Sequence, residues 1–365
     1  MILDRLLERG LLPDFLIRLG IRSLLRVRLR QERQPTLEQE EERNQALFAK
    51  LRQSAIAVHT QDANDQHYEL PPEFFELVLG KNRKYSSAYY EGAQSLDAAE
   101  DHMLRLTAGR ADLKDGQQIL ELGCGWGSLT IFMARSFPRA RITAVSNSAP
   151  QRIYIEQKLA EQGLQNVRVI TADMNEFAAP GRYDRVVSVE MFEHMRNYEL
   201  LFGRIAEWLK PGGKLFVHIF THADRAYLFE DQGESDWMAR YFFTGGIMPS
   251  KHLLLEFCYP LKSERIWTVD GTHYQRTSED WLRNMDRHRD QIMQIFVKTY
   301  GPEQARRWWN YWRVFFMSVA ELFGYAGGRE WQVNHYLFSK APSRTSLGSK
   351  QGKKNGVANR RRVRQ

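Results

Sequence analysis

Cysteine is scarce: the 365-residue chain has two, Cys124 and Cys258. One possible pair makes no disulfide framework, so a cross-linked secreted scaffold is excluded and a reducing, cytoplasmic compartment is expected. Long apolar runs are lacking as well. Nowhere do about 18 uncharged apolar residues follow one another, so no transmembrane helix is expected. Arginines interrupt every apolar stretch of the first 34 residues, which argues against a secretory signal. Histidines and cysteines at metal-ligand spacing are also missing, so no metal site is expected. With 43% hydrophobic and 26% charged residues, the composition is that of a globular protein. The length suits two domains, or one domain with large additions.

The net charge of +8 has a location. Eight basic residues and no acidic one lie between Ala341 and Gln365, so residues 1–340 sum to zero. The excess therefore describes a Ser/Gly/Lys/Arg tail, expected to be disordered, and not a nucleic-acid-binding body. No specific nucleic-acid partner is expected.

Residues 1–34 are rich in Leu and Arg. Leu12, Phe15, Leu16 and Leu19 recur at helical spacing, and Arg18, Arg22, Arg26 and Arg30 share a face. The pattern predicts amphipathic helix broken near Gly10 and Pro13. Such a helix either packs on the body of the protein, the commoner solution, or lies on an anionic membrane surface. An acidic linker over Glu38–Glu42 follows, and helical spacing resumes at Ala46, Leu47 and Leu51. From Gly116 strands and helices alternate: strands at 118–122, 140–145, 167–171, 183–189 and 213–220, helices at 128–136, 151–162 and 198–208. Alternation of this kind predicts a parallel sheet covered on both faces, with its ligand beyond the carboxyl ends of the strands. Residues 278–325 read as long helices dense in aromatics, either a helical core or a cap over an apolar pocket.

The first strand runs into Glu121, Gly123, Gly125 and Gly127. The spacing is G-x-G-x-G with an acid two residues before it, and Ser128 stands where a nicotinamide-binding loop needs glycine. It is similar to the loop of S-adenosylmethionine-dependent methyltransferases. At the second strand's end, Ser146, Asn147 and Gln151 offer hydrogen bonds to a sugar and an amino acid. After the third strand, Asp173 can accept an adenine amino group and Met174 can pack on the ring; Asp173 can equally be a turn residue. The fourth strand runs into Glu190, Glu193 and His194. On a helical turn these three share a face, placing two carboxylates and an imidazole in the crevice as candidate proton acceptors.

Several segments together carry a resemblance: Tyr85–Tyr89, Glu121–Ser128, Ser146–Gln151, Met191–His194 and His218. The chain resembles the cyclopropane-fatty-acyl-phospholipid synthase and mycolic acid methyltransferase family. Its segments Leu11–Asp14, His67–Pro71, Phe75–Asn82, Arg240–Gly246, Met248–Ser250, Ala320–Tyr325 and Glu330–Trp331 are similar to the coclaurine-type N-methyltransferase branch. The resemblance implies an α/β fold, a Rossmann-like class I methyltransferase core with an N-terminal helical region and a helical cap. It adds Tyr85 and Ser86 to the expected adenosylmethionine contacts, and Tyr274 and His218 to the expected catalytic residues. The cyclopropane synthases use a bicarbonate ion as base. Its pocket would correspond to Ser87, Glu193, His218, Phe220 and Tyr274, with Ser87 standing where those enzymes have cysteine. Glu190 departs from their small residue, and a carboxylate there suits a cationic amine better than an alkene.

The expected organisation is an amphipathic region over 1–60, a cofactor-binding core over 61–222, a cap with remaining strands over 223–340 and the tail over 341–365. The expected function is N-methylation of a small amine. The alternatives are methylation or cyclopropanation of unsaturated phospholipid chains at a membrane surface, a lipid-biosynthetic role, and a non-catalytic cofactor-binding module. Acceptor identity and oligomeric state are not legible.

Overall fold

The computed structural model describes residues 2–58, 70–230 and 237–342. The His67–Glu69 part of the resemblance and the tail from residue 343 lie outside the described residues. Both cysteines are free.

Three helices come first: α1 (Ile2–Glu8), α2 (Asp14–Glu32) and α3 (Leu37–Gln53). The acidic run read as a linker is the first half of α3. Thr36 caps it by accepting from the Gln39 N–H. Carboxylates in a first turn favour the helix dipole, which is why a charged stretch folds there. Then come α4 (Pro72–Val78), α5 (Leu96–Arg110), β1 (Gln118–Leu122), α6 (Ser128–Ser136), β2 (Arg141–Ser146), α7 (Ala149–Glu161), β3 (Val167–Thr171), β4 (Tyr183–Val189), α8 (Tyr198–Trp208) and β5 (Leu209–His222). The second half adds β6 (Tyr227–Leu228), α9 (Trp237–Tyr241), β7 (Ile247–Met248), β8 (Lys262–Val269), the helices α10 (Gly271–Arg287), α11 (Arg289–Tyr300) and α12 (Pro302–Gly324), and β9 (Trp331–Ser339). β5 begins four residues before its expected start. Its register slips against β4 where Pro211, Gly212 and Gly213 interrupt it.

Seven strands form one mixed sheet in the order β3-β2-β1-β4-β5-β9-β8. The first five run parallel, β9 is antiparallel to β5, and β8 is antiparallel to β9. The order reverses between β1 and β4, and a doubly wound sheet opens a crevice at that point. Alternate strand residues face opposite cores. Ile119, Ile142, Ala144, Val187 and Phe216 join the helices α4 to α7 and α10 to α12. Leu120, Leu122, Val145, Val186, Leu215 and Val217 pack with α8 and Leu51 of α3.

The N-terminal helix packs on the body. Ile17, Ile21, Leu25 and Leu29 of α2 meet the core beside α12. Two arginines of its basic face turn inward. Arg18 donates to Glu279 and Glu321, and Arg22 donates to Glu321. Arg313 of α12 holds both carboxylate oxygens of Asp14 at 2.9 and 2.8 Å. On the other side of α2, Phe15, Leu16, Leu19, Leu24 and Val27 are exposed. Among the described residues no helix is long and apolar enough to cross a membrane.

Glu321 is buried and accepts from two arginines, so Glu321→Ala is expected to cost about 1–2 kcal/mol. It should also speed amide exchange selectively in α2. Denaturant unfolding with hydrogen exchange reads both, and uniform exchange across the chain would refute this anchoring.

Candidate active site

The loop after β1 lies at the reversal of strand order. Gly123 (φ +78°) donates its N–H to Val145 O at 2.9 Å. A Cβ there would sit 2.6 Å from the Met191 side chain, so only glycine lets the loop after β1 close on the loop after β4. Gly125 (φ +52°) faces open space instead, leaving backbone free to approach a ligand.

A cavity of about 800 Å³ opens over these glycines. Ser146, Asn147, Gln151, Asp173 and Met174, all expected, line it with Gly123, Gly125, Glu190 and His194. Ser146 Oγ donates to Gln151 Oε1 at 2.6 Å and accepts from the Ser148 N–H. That fixes the Gln151 amide with its Nε2 buried and without a hydrogen-bond partner among the described residues. An orphaned buried donor of this kind requires a ligand acceptor or water. Asp173 holds its own turn as well, accepting from the Asn175 N–H at 2.7 Å. The cavity also takes in Ala57, Val58, Thr244 and Gly245, which sequence reasoning missed. Asn175 positions Ala57 by exchanging two 3.0 Å hydrogen bonds with its backbone; nothing in the pattern of residues 55–58 signals that role.

Tyr85 and Ser86 lie outside that cavity. They line an adjoining space of about 590 Å³ with Glu121, Gly123, Gly125 and Gln151. Ser86 Oγ accepts from Lys84, a buried lysine whose pKa burial lowers to about 8. Glu121 already has an internal partner: Thr130 Oγ1 of α6 donates to it at 2.5 Å. Burial pushes its pKa up to about 8. The orphaned Gln151 amide, the open face of Gly125 and the two joined spaces fit a ligand of nucleoside and amino-acid parts.

A second cavity of about 800 Å³ meets the first at Glu190 and His194, the two residues that line both. Its walls are aromatic: Tyr85, Phe220, Phe243, Tyr274, Trp281, Phe315 and Phe323, with Glu193 as a further polar group. The three residues after β4 do not share one helical face. Glu190 precedes the short helix Phe192–His194 and has a left-handed backbone, φ +46°. Such a conformation is strained for a non-glycine residue. It turns the carboxylate of Glu190 away from its neighbours and into a cage of donors. Glu190 accepts from the Ser87 N–H at 3.0 Å, from Tyr274 OH at 2.7 Å and from His218 Nε2 at 3.1 Å.

Burial raises the pKa of Glu190, while Lys84, Tyr274 and the Ser87 N–H oppose the rise. Glu193 has no such cage. Its Oε2 is buried without a partner among the described residues, and burial and the Glu190 charge hold its carboxyl well above the usual range. His194 is pushed down to about 4 by burial, against the Glu190 charge, and is neutral at physiological pH. His218, expected beside the reacting groups, lines neither cavity; it stands behind Glu190. Ser87 N–H, Tyr274 OH and His218, three of the groups the resemblance assigns to bicarbonate, all converge on the Glu190 carboxylate. A second anion at that point would meet a negative charge instead of free donors, so these residues do not fit bicarbonate.

The family model for mycolic acid cyclopropane synthetase matches residues 57–323. The chain belongs to that family. It is an S-adenosylmethionine-dependent methyltransferase with the class I fold. It is 40% identical over 339 residues to an (S)-coclaurine N-methyltransferase of Thalictrum flavum subsp. glaucum, covering 92% of this chain and 94% of that protein. The crystal structure of a coclaurine N-methyltransferase bound to N-methylheliamine and S-adenosylhomocysteine superposes with a TM-score of 0.89 at 40% identity, covering 93% of this chain and 99% of that one. A more distant relative, the cyclopropane-fatty-acyl-phospholipid synthase of Escherichia coli (strain K12), is 29% identical over 218 residues, 59% of this chain and 54% of its own length.

The protonation of Glu121 has a consequence for stability. An unfolded chain releases this proton near the ordinary carboxyl value of 4.5, whereas the folded protein keeps it until about pH 8. Folding stability therefore falls through that window, by up to about 1.4 kcal/mol per pH unit from this group. Glutamine has no proton to lose. Glu121→Gln should gain stability relative to the parent steadily from pH 5 to pH 8, as read by denaturant titration, and a constant difference would exclude a buried neutral Glu121.

Proposed function

We propose that the protein transfers a methyl group from S-adenosylmethionine to the nitrogen of a small amine carried on an apolar, aromatic body. The observation that supports this most is the meeting of the two cavities at Glu190 and His194. One side is built of glycine backbone and hydrogen-bonding groups, the other of aromatic rings with one unpartnered carboxyl oxygen. When bound, S-adenosylmethionine supplies a methyl group already activated by its sulfonium.

In this reading Ser146, Asn147, Gln151, Asp173 and Met174 hold the nucleoside part, and Tyr85, Ser86, Gly123 and Gly125 the amino-acid part. Glu121 supports the loop from behind through Thr130. The amine nitrogen needs a free lone pair, and a simple amine in water at neutral pH is protonated. His194 stands at the junction with a lone pair available and takes the proton; burial disfavours its charged form, and the Glu190 charge beside it offsets part of that cost. The Glu190 carboxylate, surrounded by hydrogen-bond donors, stabilises the imidazolium that forms. Glu193 finds in an N–H of the amine the hydrogen-bond partner it lacks, and so orients the nitrogen. The aromatic wall excludes water and attracts the cationic product through cation–π contact.

A lipid acceptor is the second reading. The exposed apolar residues of α2 favour it, since they suit peripheral contact with a membrane. The anion cage filled by Glu190 speaks against the bicarbonate chemistry that reading needs.

A labelled-methyl assay separates them, offering secondary and tertiary amines beside unsaturated phospholipid vesicles. Label is expected in an amine, independent of added bicarbonate. His194→Ala should lower kcat by about 10²–10⁴-fold with little change in adenosylmethionine affinity. Glu193→Gln should mainly raise KM for the amine. Label in the lipid alone, dependent on bicarbonate, would overturn the amine reading.

A further inference from the structure

Behind Glu190 a polar row crosses the apolar sheet. Trp267 on β8 sits opposite His335 on β9, and His335 sits opposite His218 on β5. His218 in turn pairs with Val189 on β4, the residue before Glu190. Both histidines are fully buried. Polar side chains are rarely placed on such a face without a partner, and here the partners form one chain. Arg110, the last residue of α5, points Nη1 at His335 Nδ1 at 2.9 Å. His335 Nε2 lies 2.9 Å from His218 Nδ1, and His218 Nε2 lies 3.1 Å from Glu190 Oε1. Trp267 covers the outer end, with the Arg110 guanidinium 5.1 Å over its ring.

Only one proton arrangement satisfies this chain. A guanidinium donates and never accepts, so His335 Nδ1 must carry the lone pair. A neutral His335 then has its hydrogen on Nε2 and donates to His218 Nδ1. His218 in turn has its hydrogen on Nε2 and donates to Glu190. Protonating either ring at Nδ1 would set two hydrogens against each other. We infer that Arg110 is a positioning residue for Glu190, acting through His335 and His218 to fix one tautomer that aims an N–H at the Glu190 carboxylate. His218 is therefore a fixed donor, and it does not act as a base. Burial, with Lys84 and Arg110 nearby, lowers the pKa of His218 well below its ordinary value; burial and the same cations do so for His335, with His218 adding to the effect.

The other groups around Glu190 are Lys84 and Ser87 on the segment after α4, Tyr274 on α10, and Glu193 and His194 after β4. None of these reaches the carboxylate through Arg110, so the effect of Arg110 can be read separately. The tautomers are a property of the free protein, and only the kinetic readout rests on the amine reading.

The test is long-range ¹H–¹⁵N NMR of the full chain labelled in histidine. In the parent protein both rings should carry hydrogen on Nε2. Arg110→Met should let His335 and His218 populate the Nδ1–H form, and Arg110→Lys, which keeps a donor, should restore the single tautomer in part. In methyl-transfer assays Arg110→Met weakens a hydrogen bond to the ionised form of Glu190, so the Glu190 pKa rises. The acidic limb of kcat against pH should then move to higher pH by roughly one unit, with KM for the amine little changed. A hydrogen on Nδ1 of His218 in the parent protein, which needs no variant to observe, would overturn the inference. So would an Arg110→Met protein with unchanged tautomers and an unchanged pH limb.

Discussion

A carboxylate buried where two cavities meet must be compensated, and Glu190 is compensated by four groups from three separate stretches of chain. The Ser87 N–H comes from the segment after α4, His218 from β5, Tyr274 from α10, and the positive charge of Lys84 from beside Ser87. Each of these must arrive for the charge to be tolerable inside. The strained backbone of Glu190 persists because these contacts over-determine it. The cap helix α10, the sheet and the glycine loop are thus tied together at one side chain, and the geometry of the transfer site depends on that tie.

The contrast between Glu190 and Glu193 shows how one turn produces two chemistries. The two carboxyl groups are three residues apart, Glu193 buried and Glu190 nearly so. Glu190 is surrounded by donors that oppose the rise burial imposes on its pKa. Glu193 has an oxygen without a partner among the described residues and a like charge nearby, and its pKa is held well above the usual range. Environments that separate the two groups in this way are what a site handling a cation and a proton requires. Between them His194 stays neutral, because burial outweighs the attraction of Glu190.

Much of this was legible in the residues. The strands Val167–Thr171 and Tyr183–Val189 fall where their β-branched runs predict, and the strand–glycine–helix order locates the ligand crevice. That Ser146, Asn147, Gln151, Asp173 and Met174 line one cavity was legible because they stand at strand ends, where such a fold places ligands. Other features depend on contacts distant in sequence. β9 is buried over nearly its whole length yet contains Asn334 and His335, whose partners Thr221, Thr268, His218 and Arg110 all lie on other elements. The left-handed Glu190 has no glycine to announce it. The acidic start of α3 looked like a solvated linker, since charge is visible in a sequence and a helix dipole is not.

Helix α12 has two faces with different duties. Phe315, Val319, Leu322 and Phe323 line the aromatic cavity. Tyr311, Arg313 and Glu321 on the same helix hold Glu8, Asp14, Arg18 and Arg22 of the N-terminal helices. A rigid helix transmits a shift on one side to the other. The shape of the aromatic cavity is therefore adjustable from the outside of the molecule: changes along the N-terminal helices can re-aim one of its walls while Glu190, Glu193 and His194 stay as they are.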